Sequence, residues 1–583
     1  MEPKWWQKAV IYEIYTKSFK DSDGDGLGDL FGVIEKLPYL KELGIDCIWF
    51  TPIYPSPQVD NGYDVADYED IEPAYGGMAA FKELLEKAHA LEIRVVMDLV
   101  LNHSSDECRW FKESRSSKAS PKRDWYIWRS PREDGSEPNN WANKFNDGSG
   151  SAWTFDEKTG EYYLHNYAVK MPELNWESRG LREEVYRVIR GWLDMGVDGF
   201  RLDVITKLKK PPFVDSPKKP NPFGFVLDNE IQSCNPGLHE IIKELRENTW
   251  GLPQYDAFAV GEAGGVTEKN AEEFLAPERG ELETLYHFQI VSRNRPTVTL
   301  KAYKEIQDNW GQIFNRGSWT TEHLSNHDQA RQVSRFGNDS SEYRKPSARC
   351  LAMMTHVFPG TPFVYQGEEI GMTNVYFDSI DDYNDRYTLG DYAAAVRDGM
   401  TPEEALRKVR INSRDHARTP MQWDASEDAG FTAPGAKPWI KVNPNYREIN
   451  VSSDRASADS LFAFYQKLIA LRKEETALVA GHFGMYLKED PHFVVITRTL
   501  GHAALLLIAN PTNEKAVLSL PEELRRNMRE EQQDERRAAF PADEEVGESG
   551  CLQELLSSYP GASRDSAEGE YLPWEARLYR FQS

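Results

Sequence analysis

Four stretches of the chain each end an apolar run in an acid or an imidazole. Asp198-Gly199-Phe200-Arg201-Leu202-Asp203-Val204 is the most informative. On a strand, side chains alternate faces, so Arg201 and Asp203 share one face while Phe200, Leu202 and Val204 share the other. Phe258–Val260 runs into Gly261-Glu262, Leu324-Ser325-Asn326 into His327-Asp328, and Asp98-Leu99-Val100-Leu101 into Asn102-His103. Taken singly, each is as well explained by a structural ion pair or a core histidine. Together they converge on one chemistry. Two carboxylates flanking a bond, with a third group to balance charge, is what acetal cleavage requires: one attacks or stabilises, the other protonates the leaving oxygen. The attacking group needs a low pKa, which an adjacent guanidinium supplies. The acid needs a raised one, which a negative neighbour supplies.

Acidic groups at four strand ends need an architecture that gathers strand ends. Runs near Val10–Tyr15, Ile45–Thr51, Ile93–Val100, Gly199–Val204, Phe258–Glu262, Thr284–Ile290, His323–Asn326 and Phe363–Tyr365 read as buried strands. Between them lie amphipathic stretches. In Arg182–Gly196, residues Val185, Val188, Ile189 and Trp192 fall on one helix face; in Leu461–Arg472, residues Leu461, Phe464, Tyr465, Leu468 and Leu471 do. Strand-then-helix repeated about eight times predicts an α/β fold, a (β/α)8 barrel, whose active sites sit at the C-terminal ends of the strands. An open doubly wound sheet would share the rhythm. Roughly 75 residues rich in Trp, Asn, Ser and Gly separate the third strand from the Arg182 helix, too many for a plain loop. The expected organisation is a barrel over 1–103 and 171–478, an inserted small domain over 104–170, and a C-terminal β-sandwich-like, antiparallel domain over 479–583. Within the last, Arg525–Glu548 reads as a solvated, charge-dense excursion.

The early acidic loop has metal spacing. Asp21, Asp23, Asp25, the Leu27 carbonyl and Asp29 repeat the odd-position pattern of an oxygen-lined Ca²⁺ loop, with Gly26 at the sharp turn. It is not an EF-hand: Gly32 stands where the closing Glu would be, and no helix precedes.

Bulk composition narrows the partners. The 583 residues carry 69 Lys and Arg against 94 Asp and Glu, a net charge of −25, which repels phosphate backbones and anionic lipid. No apolar run approaches the roughly 20 residues of a membrane span. Neither nucleic acid nor a membrane is an expected partner. The start, MEPKWWQKAV, lacks an apolar signal core, and five cysteines (Cys47, Cys108, Cys234, Cys350, Cys551) lack CxxC spacing. Both favour a cytoplasmic protein without a disulfide framework. Aromatic residues make up 12% of the chain, and flat rings grip sugar faces as well as filling cores.

The sequence resembles the α-amylase superfamily of retaining glycoside hydrolases, and more closely its oligo-1,6-glucosidase and α-glucosidase branch. WWQKAVIYEIYTKSF, DSDGDGLGDL, DNGYDVADY, DLVLNHSS, DGFRLDVI, VGEAGGVT, SNHDQARQVSRFGND, TPFVYQGEEIGMTN, RDHARTPMQWD and PWIKVNPNYREINV carry the likeness. They run from the N-terminus to about residue 470. The resemblance implies Asp203 as nucleophile with Arg201 beneath it, Glu262 as acid/base and Asp328 as transition-state stabiliser. It implies His103 and His327 on the same glucose, Tyr63 stacked on its ring, Asp98 behind, and Tyr167 near the sugar where the branch usually has Phe. Asp60 with Arg414 or Arg418 would close the pocket, making cleavage exo. The implied metal is a structural Ca²⁺ or Mg²⁺, with no organic cofactor, and the substrate a short oligosaccharide; a monomer is favoured. Val204 after the nucleophile resembles the α-1,6-cleaving members, while α-1,4 cleavage stays open. The chain departs from the branch at Met171, Glu173, Gly264 and the Pro- and Lys-rich Lys207–Phe225. Trehalose-6-phosphate hydrolases and sucrose-acting transglycosylases or isomerases share the catalytic set. Lys207, Lys209 and Lys210 could meet a phosphate, though a solvated basic loop is the better explanation. Non-catalytic transporter subunits with amylase-like barrels lack the carboxylate set and carry a membrane span.

Overall fold

A computed structural model describes residues 2–145, 150–221, 223–292, 298–501, 503–524, 552–561 and 566–581. Eight strands form one parallel sheet: β1 (Ile11–Ile14), β2 (Cys47–Phe50), β3 (Arg94–Val100), β4 (Gly199–Asp203), β5 (Phe258–Glu262), β6 (Thr284–Tyr286), β7 (Thr321–Glu322) and β8 (Thr361–Tyr365). Their order is β7-β8-β1-β2-β3-β4-β5-β6, a nearly closed barrel. Threonine hydroxyls bridge the seam: Thr321 Oγ1 donates to the Leu285 carbonyl at 2.8 Å and Thr284 Oγ1 to the Trp319 carbonyl at 3.2 Å. β6 is shorter than its apolar run, and β7 ends at Glu322, so His323–Asn326 follows the strand rather than forming it.

The interior has two levels. Ile11, Cys47, Trp49, Val96, Phe258, Val260, Tyr286 and Phe363 fill an apolar plug, packed with Trp5 and Trp6 from below. Two residues further along three of the strands, the same faces turn ionic: Glu13, Asp98 and Glu262 follow Ile11, Val96 and Val260. Asp98 stands opposite Arg201 in the register. Outside, Ile48, Phe50, Val95, Met97, Phe200 and Leu202 meet the surrounding helices. Helices Arg179–Met195 and Leu461–Glu474 cover the two periodic stretches read from sequence.

Between β3 and the Arg179 helix lies a three-stranded antiparallel sheet of Trp128–Arg129, Glu161–Leu164 and Trp153–Asp156. The C-terminal region forms a five-stranded antiparallel sheet, in order His482–Tyr486, Val494–Leu500, Ala503–Ala509, Ala576–Phe581 and Leu552–Ser557. The charged stretch Arg525–Glu548 and Cys551 lie outside the described residues. The other four cysteines are free thiols. Among the described residues no helix is long and apolar enough to cross a membrane.

Candidate active site

Arg201 organises the barrel mouth. Its Nη1 donates to Asp98 at 3.0 and 3.1 Å and to Asp203 Oδ1 at 2.7 Å, while Nη2 lies 3.1 Å from Glu262 Oε2. One guanidinium thus holds carboxylates from β3, β4 and β5, as its fork of donors allows. Asp203 is buried, and its carboxyl lies well above the usual range because burial and the facing Glu262 oppose its charge more than Arg201 favours it. That runs against the expectation of a guanidinium-lowered nucleophile. Asp98, enclosed behind them, is raised to about 6 by burial against the pull of Arg201.

β4 ends in a strained turn. Val204 has φ 46° and ψ 37°, left-handed backbone that a β-branched residue rarely adopts. Its N–H donates to Glu262 Oε2 at 2.9 Å, so the turn positions the β5 carboxylate. Val204 consequently leaves the outer face of Phe200 and Leu202 and lines the cavity between Asp203 and Glu262.

The cavity, about 90 Å³, is bounded by Asp60, Tyr63, His103, Lys144, Phe145, Tyr167, Asp203, Val204, Glu262, Asp328, Tyr387 and Arg414. Nine of the anticipated catalytic and substrate-binding residues therefore share one cavity wall. Arg201 and His327 sit just behind. His327 Nδ1 lies 2.6 Å from Glu13 Oε1 and Nε2 2.8 Å from the Tyr63 hydroxyl, which in turn reaches Asp98 at 2.9 Å. Burial lowers His327 to about 3 and raises Glu13. Tyr63 stacks one face on His327, ring centres 5.3 Å apart. His103 is lowered to about 4 by burial, and its Nε2 is enclosed without a hydrogen-bond partner.

At the far end the two arginines separate. Arg414 bridges Asp60 at 2.9 Å, Asp328 at 3.1 Å and Asp385 at 2.6 Å and lines the cavity. Arg418 is fully enclosed, donating to Asp328 at 2.7 Å and to the His327 carbonyl. Arg414 is therefore the partner of Asp60. Against burial, His327, Arg414 and Arg418 hold Asp328 far below the usual carboxylate range.

The basic run after β4 is not a solvated loop. Lys207 is 3% exposed. Lys210 is enclosed and donates to Glu173 and, at 2.6 Å, to Asn102. Lys209 alone reaches outward, to Glu177. Sequence reasoning missed Glu13, Asp385, Lys144, Phe145 and Tyr387. Glu13 had a signal, a carboxylate inside the apolar run of β1. Lys144, Phe145 and Asp385 come from loops, where no periodicity marks them, and Tyr387 from the first turn of the helix Arg386–Arg397.

In the acidic loop, carboxylate oxygens of Asp21, Asp23 and Asp29 lie within 4.8 Å of one another. Asp25 stands apart from that group, its carboxylate accepting the Leu27 N–H at 2.7 Å. Asp21 accepts N–H bonds from Asp23, Gly24 and Gly26 and the Thr432 hydroxyl. A Cβ on Gly26, at φ 93°, would sit 2.0 Å from the Lys437 carbonyl. The all-oxygen donor set suits a hard divalent cation.

Comparison with known proteins adds the lineage. The family model for the alpha-amylase catalytic domain matches residues 13–481. The chain is 44% identical to an oligo-1,6-glucosidase of Parageobacillus thermoglucosidasius over the full length of both. It is 45% identical to one from Bacillus cereus, covering 90% of this chain and 94% of the relative. The structure superposes on a Bacillus licheniformis trehalose-6-phosphate hydrolase with TM-score 0.88 at 38% identity, covering both chains fully. It superposes on the Pseudomonas mesoacidophila trehalulose synthase MutB with TM-score 0.89 at 37% identity, again over both full chains.

Proposed function

The chain belongs to the alpha-amylase family of glycoside hydrolases, and on that premise we propose a retaining exo-acting α-glucosidase that removes terminal α-1,6-linked, and also α-1,4-linked, glucose from short oligosaccharides. The observation that carries it is Arg201, one cation gripping Asp203 and Glu262 at the mouth of a cavity whose other end is shut by Asp60 and Arg414.

In this mechanism Asp203 attacks the anomeric carbon and forms a glucosyl ester while Glu262 delivers its proton to the departing oxygen. Glu262 then takes a proton from water, whose oxygen attacks the same carbon and frees Asp203. As a retaining pair Asp203 and Glu262 act at roughly 5–5.5 Å from one another. Asp328, held ionised by Arg414 and Arg418, binds glucose hydroxyls and faces the developing positive charge. His103 Nε2, buried without a partner, is a ready donor or acceptor for the same ring. Tyr63 and Tyr167 pack on its faces.

Asp21, Asp23 and Asp29 would hold a structural Ca²⁺ or Mg²⁺ that ties the loop after β1 to the segment around Thr432, remote from the reaction. The free thiols and strongly negative surface fit a cytoplasmic enzyme acting as a monomer on small sugars.

One panel tests the reading: isomaltose, maltose, panose, sucrose, trehalose 6-phosphate and starch at equal concentration. Glucose release from isomaltose and panose is expected. Rapid internal cutting of starch, or wild-type turnover by Asp203→Ala, would overturn it.

A further inference from the structure

Lys144 in the cavity lining and Lys207 just after β4 have no part in the glucose-binding scheme. Lys144 comes from the inserted segment, its backbone N–H fixed on the Asn166 carbonyl at 2.9 Å. It lines the cavity beside Glu262, Val204 and Tyr167. Its amine donates to the Tyr167 hydroxyl at 3.2 Å and lies 4.7 Å from that ring's centre. Lys207 arrives from below, one short turn after Val204, its N–H on the Val204 carbonyl at 3.0 Å. Its amine reaches two carboxamide oxygens, Asn229 and Gln232, both at 3.4 Å. The charge of Lys144 acts on the Lys207 amine. Among the described residues neither forms an ion pair. The nearby carboxylate, Glu173, is already occupied by Lys210, Asn102 and the Asn166 N–H.

Buried cations are retained where something compensates them. Here an anion entering the cavity supplies it, since the amine of Lys144 belongs to the cavity lining and the carboxylates beside it, Glu262 and Asp203, are already held by Arg201. In the α-glucosidase reading glucose fills the closed end and its departing oxygen lies at Glu262, which shares the cavity lining with Lys144.

We propose that Lys144 and Lys207 form an anion-binding site for the leaving group, so that the preferred substrates are α-glucosides whose departing unit carries a carboxylate or a phosphate. The inference rests on the α-glucosidase reading and specifies its substrate. The bond chemistry is unchanged: the anomeric C–O bond breaks, the leaving oxygen takes the Glu262 proton, and water supplies the hydroxyl of glucose. What changes is that charge-assisted hydrogen bonds seat the acidic aglycone.

Three wild-type substrates separate the sources of the anion: isomaltose (neutral), its aldonic acid isomaltobionate (carboxylate) and trehalose 6-phosphate (phosphate). At least about ten-fold higher kcat/KM on one acidic substrate than on isomaltose is expected, equivalent to one good charged contact. Which acid wins identifies the anion. Lys144→Met and Lys207→Met should each lower that acidic-to-neutral ratio by about ten-fold, and a ratio does not depend on how much variant is folded. As a measurement free of variants, gluconate or glucose 6-phosphate should inhibit better than glucose. Isomaltose turned over as well as both acidic substrates, or a ratio unmoved in both variants, would overturn the site while leaving the glucosidase. Failure to cleave any of the three would bring down the underlying reading as well.

Discussion

The two ends of the cavity are built on opposite electrostatic plans. At the closed end every charge has a counterpart: Arg414 spans Asp60, Asp328 and Asp385, and Arg418 backs Asp328. At the leaving-group end two amines have carboxamides and a phenol for company. The matched end is finished before substrate arrives, as a pocket for one invariant glucose should be. The unmatched end is completed by what binds. Pre-paired charges give a fixed shape, whereas surplus charge gives selectivity for an opposite one.

The reacting pair between the two ends is the point at which the whole comparison breaks. Asp203→Ala should cut turnover by roughly 10⁴-fold or more, as loss of an enzymatic nucleophile does. Glu262→Gln should cost about 10²–10⁴-fold, the range of general acid catalysis. Steady-state assay on isomaltose checks both, and activity retained in either would disconnect the two ends from any shared reaction.

Arg414→Ala attacks the matched end. It strands Asp60 and Asp385 without their buried cation, a loss of about 3–5 kcal/mol for a broken buried pair. Thermal unfolding should show that drop, and longer α-glucans should begin to be cut internally. An unchanged melting point would mean the end is not charge-matched in solution.

The unmatched end predicts the reverse sign. Burial and Lys144 hold the Lys207 amine well below its usual range. The unfolded chain therefore binds a proton there that the native state resists, and stability suffers most at low pH. The penalty fades as pH rises towards the ordinary lysine range. Lys207→Met should thus raise Tm, most at acidic pH and least near pH 10. A Tm lowered across the whole range would show that the amine is compensated within the fold.

The smallest effect belongs to the acidic loop, remote from both ends. Chelation should lower Tm by the binding linkage alone, about 2.7 kcal/mol at a hundred-fold excess of metal over its dissociation constant, with kcat unchanged. Chelation that leaves Tm unmoved would remove the cation from Asp21, Asp23 and Asp29.

The matched end and the reacting pair were legible in the sequence because barrel strands announce themselves. A residue parity that places Val96 and Val260 in the plug also aims Asp98 and Glu262 upward. The seventh strand was misplaced by a few residues because only Thr321 and Glu322 pair, and the apolar run that drew attention lies beyond them. Asp60 was found, but the choice between Arg414 and Arg418 was not, since both lie in one short helical turn, Asp385 caps a helix of its own, and no local pattern links the segments. Lys207 and Lys210 read as a solvated loop because a lysine run usually is one. What encloses them is tertiary: Asn229, Gln232, Asn102 and Glu173 arrive from elsewhere along the chain. Lys144 had no signal of any kind.

The left-handed backbone at Val204 has a consequence for how this enzyme can diversify. A side chain there both lines the cavity beside Glu262 and sits in a conformation that only glycine adopts freely. Any new substrate outline tried at this position therefore alters folding stability in the same stroke. Variants that widen the site with glycine should come easily, whereas bulkier replacements need reinforcement elsewhere, so changes in linkage choice should accumulate alongside compensating substitutions rather than singly.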